Sequence, residues 1–235
     1  MAFHLLTSTK KSFSAKELQR QLGHKNYDAI CALLHKLRMA MGTRDARYTL
    51  SGVLELDEGF FSTERQAEEK QQPQKRGRGS QKKSKVLVMA ESTPVAEGEQ
   101  KGQSRKVNHI KMLVIEDLKS ETIDNQVVKN VSTTSEIDSD NSTSYTNLKK
   151  LVAQHRPQVI RKEDIGKVLP WVHIAISNAK RMILNTFHDV KPEYLQSYLN
   201  EFCYTFNRRY FGERQFDRLL VAGVAYKNEF RYHIR

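Results

Sequence analysis

Apolar residues recur at helical spacing through the first fifty positions of the chain. Ser14 and Glu17 form a capping box, which predicts a short helix that ends near Leu22. After a turn that contains glycine, Asn26 can cap a longer helix over residues 27–41. The apolar side chains of this second helix fall on one face, which predicts that it packs: Ile30, Leu33, Leu34, Leu37 and Met41.

A short helix, a turn and a longer helix are the layout of a helix-turn-helix motif, whose second helix enters the DNA major groove. Residues 27–38 would then meet the groove, with Lys25 and Tyr27 at its edge. The same pattern fits an ordinary helical hairpin that packs on the next domain. The pattern alone favours neither interpretation.

The rest of the chain mixes strand and helix patterns. Strands are predicted at 53–61, 85–90, 109–115 and 131–138. Helices are predicted at 121–129, 145–154, 169–187 and 192–206. Three strands, a helix, a strand and further helices are the element order of the ribonuclease H-like fold. We therefore predict an α/β protein in which helices flank an RNase H-like mixed sheet and a small all-α region precedes it.

Composition changes abruptly after residue 65. Six basic residues and no acid occur within 75–85, and such a segment cannot form a core, so we expect a flexible basic insert at about 64–84. Lys75, Arg76 and Arg78 would contact a DNA backbone there, or simply be solvated. The predicted division is a helix-turn-helix region at 1–50, a catalytic domain at 51–219 and a C-terminal tail at 220–235.

Charge bears on the class of partner. The 39 Lys and Arg residues exceed the 27 Asp and Glu residues, giving a net charge of +12. This balance favours a nucleic-acid partner, although a basic protein with no polyanion is the alternative. Cys31 and Cys203 lie far apart in apolar surroundings and are interpreted as core residues. With neither a membrane-length apolar run nor a secretory pattern, the sequence predicts a cytoplasmic, nucleoid-associated protein.

Two aspartates stand at predicted strand ends. Asp57 closes the alternating run that begins at Val53, and Asp140 follows the predicted fourth strand. His173 comes 33 positions later, on a predicted helix. Oxygen ligands at neighbouring strand ends, with a third group from a helix, suit a magnesium site for phosphodiester chemistry. The alternative is a set of carboxylates that simply face solvent.

The helix that carries His173 has a polar stripe. At about 100° per residue, Ser177 and Lys180 fall on the same side as His173. A histidine that shares a stripe with a lysine points to a site, whereas a lone one is usually a core residue. Near the C-terminus, Arg208 and Arg209 stand beside aromatic residues, which suits phosphate contact and base stacking.

Several stretches resemble one known family. They are residues 14–41, the run from Leu50 to Glu58, Asp140 with Tyr145 and Leu148, and residues 169–209. Together they resemble bacterial insertion-sequence transposases of the DDE type. Members of the branch that this chain resembles often carry an N-terminal zinc ribbon and a helix-turn-helix. No Cys-rich ribbon precedes residue 14 here, so the resemblance implies a shortened version.

The resemblance implies specific roles. Asp57 and Asp140 match the first and second catalytic aspartates, which bind Mg²⁺ or Mn²⁺. His173 falls where the family commonly has glutamate, seven residues before Lys180. Because imidazole is a softer ligand than carboxylate, His173 would touch a metal weakly, transfer a proton, contact phosphate, or mark an inactive copy. Asn178 is the alternative third residue.

The function implied is a transposase that binds the ends of its element as a homo-oligomer and carries out metal-dependent strand cleavage and strand transfer. A decayed copy that only binds DNA is one rival, and a nuclease for RNA–DNA hybrids is another. The residues expected to contact DNA are Lys25, Tyr27, Lys75, Arg76, Arg78, Lys180, Arg181, Arg208 and Arg209.

Overall fold

The computed structural model describes residues 1–9, 11–65, 80, 82–95, 104–159, 168–187 and 190–227. Its strands are β1 (Val53–Ser62), β2 (Lys83–Pro94), β3 (Arg105–Ile115), β4 (Glu136–Asp140) and β5 (Gln154–Gln158). Its helices are α1 (Ala2–Ser8), α2 (Ala15–Leu22), α3 (Tyr27–Ala46), α4 (Ser120–Asn130), α5 (Pro170–Thr186), α6 (Pro192–Asn207) and α7 (Arg214–Ala225). Within the described ranges, every helix is too short or too polar to cross a membrane.

The sheet has the strand order β3-β2-β1-β4-β5. The first three strands form an antiparallel meander, and β4 then returns to lie parallel to β1, with β5 parallel to β4. A parallel return needs a crossover, and α4 supplies it. This topology confirms the predicted RNase H-like mixed sheet flanked by helices.

Helices cover both faces of the sheet. Val86, Val88 and Ala90 of β2 pack toward α5 and α6, while Leu87 and Met89 pack toward α4. Alternate side chains of a strand point to opposite faces, so a run that is apolar throughout is stable only where both faces are covered. The burial of β2 therefore explains why its sequence is continuously apolar.

The predicted strand at 131–138 begins later than expected. Strand β4 starts at Glu136, and a turn precedes it. In that turn the Ser132 hydroxyl lies 2.9 Å from the Thr134 hydroxyl and accepts the Thr134 N–H at 3.3 Å. Local side-chain bonds of this kind compete with a strand ladder, so the prediction was wrong for 132–135, while Val131 forms an isolated parallel bridge with Leu50.

The predicted helix at 145–154 was also wrong. Two single 3₁₀ turns, Thr143–Tyr145 and Leu148–Lys150, stand in its place, and β5 follows them. Strand β5 has no apolar alternation, and Pro157 interrupts its sequence, which an edge strand tolerates. Arg156 attaches β5 to the sheet through ion pairs of 2.9 Å to Glu136 and 2.7 Å to Asp138 of β4.

The N-terminal helices pack on the C-terminal ones. Their shared apolar core joins Leu18 and Leu34 to Tyr204 of α6 and Leu219 of α7. The predicted boundary between residues 219 and 220 falls inside α7. The division into separate domains stays a prediction.

Helix α3 does not present an exposed face to a DNA groove. Between residues 27 and 38 only Tyr27 and Ala29 are exposed. The Arg38 side chain is 3% exposed, and its Nε donates to Oε2 of Glu201 in α6 at 2.6 Å. His35 Nδ1 lies 3.0 Å from the buried Ser197 hydroxyl. The expectation that 27–38 enters the groove is therefore corrected, since α3 packs as a hairpin helix against α6.

Breaking the buried pair is expected to destabilise the protein. The substitution Arg38→Met leaves the Glu201 carboxylate buried without its cation, which costs about 3–5 kcal/mol of unfolding free energy. Urea denaturation measures the change. As a control, Arg20→Gln removes an exposed pair with Glu17 on α2 and should leave the midpoint unchanged. An Arg38→Met protein as stable as the wild type would contradict this account.

Candidate active site

The pairing of β1 with β4 brings two aspartates together. Val53 pairs with Glu136 and Leu56 with Ser139, an offset of 83 residues. Asp57 and Asp140 are separated by the same 83 residues, so they come next along the two strands. In parallel strands, residues in register point to the same face. The two side chains therefore extend together toward α5.

A third carboxylate joins them. One oxygen each from Asp57, Glu58 and Asp140 lies within 4.8 Å of the other two, and all three side chains are half-buried. Glu58 is the immediate neighbour of Asp57, so strand alternation places it on the opposite face, beside Tyr145. Its longer side chain nevertheless brings an oxygen to the group. Glu58 was not among the site residues predicted from the sequence.

Backbone and buried groups orient these carboxylates. Asp57 Oδ1 accepts the Glu58 N–H at 2.8 Å, and Asp140 Oδ1 accepts the Ser142 N–H at 3.1 Å. The Tyr145 hydroxyl is buried beside Glu58, and burial first, then the Glu58 charge, raises the pKa of Tyr145 far above its ordinary value. Tyr145 therefore stays protonated beside Glu58.

His173 approaches the carboxylates from α5. Its Nδ1 lies 3.7 Å from Oδ2 of Asp57. Burial lowers the pKa of His173 below its ordinary value of 6.5, so the imidazole is neutral at pH 7. Its Nε2 is buried, with no hydrogen-bond partner in the described part of the chain. The structure thus brings together Asp57, Asp140 and His173, the three residues singled out from the sequence.

Asn178, the alternative third residue, is placed elsewhere. It lies about 140° around α5 from His173. There it borders a groove of about 1150 Å³ between α5, α6 and the N-terminal helices. The position of Asn178 removes it from the carboxylate group.

Four of the residues expected to contact DNA keep a solvent-accessible position. Lys25 and Tyr27 are exposed at the start of α3, and Arg181 is exposed beside the groove. Lys180 is half-buried, with Nζ 5.6 Å from the centroid of the Phe61 ring. Burial, and then the charge of Lys83, lowers the pKa of Lys180.

The two C-terminal arginines are engaged inside the protein. Arg208 is 13% exposed, pairs with Asp45 at 2.6 Å and stacks on the Tyr204 ring at 3.6 Å. Arg209 donates to backbone carbonyls of β3 and α6 and lies 4.0 Å from the Phe206 ring. Ion pairs, hydrogen bonds and aromatic neighbours thus hold both guanidinium groups against the protein, and their contact with DNA stays a prediction. Lys75, Arg76 and Arg78 lie outside the described residues.

The donor set suits a hard divalent cation. Carboxylate oxygens are the ligands that Mg²⁺ and Mn²⁺ prefer, and three of them converge here. They are close enough to repel one another, and a cation would relieve that repulsion. Asp57, Glu58 and Asp140 are therefore the residues whose carboxylate oxygens could hold a metal.

The sequence matches a family of known activity over most of its length. The family model described as "ISXO2-like transposase domain" matches residues 49–207, more than half of the chain. The chain belongs to this transposase family. The match spans β1 to α6 and includes all four residues that surround the candidate metal position. DDE-type transposases are polynucleotidyl transferases that use a divalent metal.

Solved structures of Mos1 transposase share low similarity with this transposase. The catalytic domain of Mos1 mariner transposase is 14% identical to this chain, with a TM-score of 0.37, and the match covers 83% of this chain and 95% of that chain. The Mos1 mariner paired end complex with Mn is 15% identical with a TM-score of 0.39, covering 96% and 79%. A pre-cleavage Mos1 transpososome is 14% identical with a TM-score of 0.34 and the same coverage. No curated protein sequence matches the chain.

Removing one carboxylate is expected to stabilise the metal-free transposase. In Asp140→Asn the amide oxygen still accepts the Ser142 N–H, while the repulsion falls, so the unfolding free energy rises on the order of 1 kcal/mol. Thermal unfolding with and without Mn²⁺ measures this. Mn²⁺ should raise the midpoint of the wild type and of the control Glu116→Gln, but not that of Asp140→Asn. An equal metal response in all three proteins would contradict a metal position here.

Proposed function

We propose that this transposase cuts DNA at the ends of a bacterial insertion sequence and joins the resulting 3′ ends to target DNA. The observation that carries the proposal is the register of β1 with β4, which sets Asp57 beside Asp140. A carboxylate pair held by a rigid sheet keeps its geometry when substrate binds.

The acidic residues are assigned to metal binding. Asp57 and Asp140 would hold Mg²⁺ or Mn²⁺, and Glu58 would complete the set of oxygens. Two such ions, when bound, activate the attacking oxygen and stabilise the leaving oxygen of a phosphodiester. Backbone N–H bonds to Asp57 and Asp140 fix the direction in which each carboxylate presents its oxygens.

His173 is assigned to proton transfer. Its lowered pKa leaves the ring neutral at pH 7, and a neutral imidazole is a base. The 3.7 Å separation from Asp57 keeps it next to the carboxylates. Nitrogen is a poorer ligand than oxygen for Mg²⁺, which favours this role over metal binding.

Conservative amide substitutions test the catalytic assignment. Asp57→Asn and Asp140→Asn are expected to abolish divalent-metal-dependent nicking of DNA that carries the element's ends, because they remove the metal ligands. A gel shift should show nearly unchanged DNA binding. Glu116→Gln removes an exposed carboxylate outside the group and should cut as the wild type does.

The outcomes separate the rival functions. Cleavage by either amide variant would defeat the assignment. A wild-type protein that shifts the DNA but never cuts it would be a non-catalytic binder. Preferential cutting of an RNA–DNA hybrid would indicate a hybrid nuclease instead of a transposase.

DNA is proposed to run along the exposed face of α5 and past the start of α3. Lys180 and Arg181, which follow His173 by two helical turns, would contact the DNA on α5. Lys25 and Tyr27 would contact it at the start of α3. Positive charge on these elements would neutralise phosphates near the carboxylates. Assembly as a homo-oligomer on DNA and association with the nucleoid stay predictions.

A matched pair of arginine variants tests that surface. Arg181→Ala removes an exposed cation, so it should weaken binding to all DNA sequences and lower the salt slope of log K by about one. Arg208→Ala removes a cation that is already paired with Asp45, so it should lower stability and leave the salt slope unchanged. Fluorescence anisotropy over a range of salt concentrations measures both. An unchanged salt slope for Arg181→Ala together with a lower salt slope for Arg208→Ala would instead identify Arg208 as a DNA contact.

A further inference from the structure

Glu55 is a buried acid near the carboxylate group. It precedes Asp57 by two residues on β1, so both side chains point toward α5. Its side chain reaches the first turn of that helix, where Oε2 accepts the Trp171 N–H at 2.7 Å and the Val172 N–H at 3.0 Å. The residue is 7% exposed. One strand thus supplies a member of the carboxylate group and an acceptor for the helix that carries His173.

The start of α5 needs such an acceptor. The first N–H groups of a helix have no partner within it, and a Ser, Thr, Asp or Asn at the N-cap usually supplies one. Here the N-cap is Leu169, whose side chain accepts no hydrogen bond, and Pro170 follows it. Leu169 also adopts φ 54° and ψ 49°, a left-handed conformation that leucine rarely takes. Glu55 therefore replaces the missing cap and holds a strained turn in place.

Burial of this carboxyl group is unfavourable by itself. Desolvation raises the pKa of Glu55 to about 7, while the two N–H bonds from Val172 and Trp171 act to lower it. An ordinary N-cap side chain at residue 169 would satisfy the helix without burying an acid on the strand. What the Glu55 arrangement adds is a direct bond between β1 and α5.

We propose that Glu55 is a positioning residue, which fixes the first turn of α5 on β1 so that His173 stands beside Asp57. His173 directly follows Val172, the second residue that Glu55 holds, and its Nδ1 lies 3.7 Å from Asp57 Oδ2. Without the bonds to Glu55, the first turn is free to relax away from its strained conformation and to carry the imidazole with it. This inference rests on the proposed function, because it assigns His173 to the reaction.

Two substitutions separate the hydrogen bonds from the volume of the side chain. Glu55→Gln keeps an oxygen that accepts both N–H groups, whereas Glu55→Met fills a similar volume and accepts neither. The matched control is Glu91→Met on β2. Glu91 is 4% exposed and accepts the Tyr48 hydroxyl at 3.1 Å and the Ser51 N–H at 2.9 Å, away from α5.

The first measurement needs no activity. In the full chain without DNA, amide exchange of Trp171 and Val172 and the His173 ring resonances are followed by NMR. Glu55→Met should raise both exchange rates about tenfold or more and shift the His173 resonances. Glu55→Gln and Glu91→Met should leave them at wild-type values. Unchanged exchange in Glu55→Met would overturn the proposal.

The second measurement is a double-mutant cycle on single-turnover cleavage. Glu55→Met should slow cleavage about ten- to hundredfold, since small displacements of reacting groups have effects of that size. In a His173→Ala background it should have less than about a twofold effect, because both changes remove the same contribution. A purely structural role predicts equal factors in both backgrounds, and that result would overturn the proposal.

Two contingencies keep the test decisive. If Glu55→Met does not fold, Glu55→Asp is used, whose carboxylate is one methylene too short to reach both N–H groups. Exchange of Trp171 and Val172 in that variant as slow as in Glu55→Gln would overturn the proposal. If the wild type never cleaves DNA, the proposed function fails, and the exchange rates still decide whether Glu55 holds α5.

Discussion

The parallel pairing of β1 with β4 is the constraint on which the site depends. Side chains alternate along a strand, so a slip of one residue would turn Asp140 to the opposite face of the sheet, away from Asp57. The same slip would expose Ile137, which is buried against Leu54 and α4. The apolar core and the carboxylate pair therefore require the same register, and neither can change without the other.

Contacts at the start of the two strands fix that register. Leu50 N–H donates to the Asn130 carbonyl at 2.8 Å, and the Leu50 carbonyl accepts the Ser132 N–H at 2.8 Å. The Glu136 N–H then donates to the carbonyl of Gly52 at 2.8 Å. Gly52 has φ 73°, a conformation that favours glycine, so the chain can turn there into β1. The end of α4 is thereby attached to the start of β1 before the ladder begins.

Periodicity predicted most of this fold, and its limits are physical. Strand β1 and helices α5 and α6 were predicted because their buried faces repeat at 2.0 or 3.6 residues, and β2 and β3 because each is an apolar run of strand length. Strand β5 was not predicted because neither of its faces is buried. The ion pairs of Arg156 attach it to β4. Glu58 was missed because alternation separates it from Asp57, and only side-chain length overcomes that. The ion pair of Arg208 could not be predicted, because the sequence does not show that Asp45, 163 positions away, lies beside it.

Buried polar bonds also join α3 to the sheet. Asn207 of α6 donates to Asp45 of α3 at 3.0 Å and exchanges hydrogen bonds with the backbone of Ile110 in β3. Flexibly linked domains usually share few contacts, whereas this side chain bridges helix, helix and strand. Because polar groups buried without partners are unfavourable, separating α3 from α6 would leave several of them unsatisfied. DNA held at Tyr27 would therefore lie at a set distance from the carboxylates.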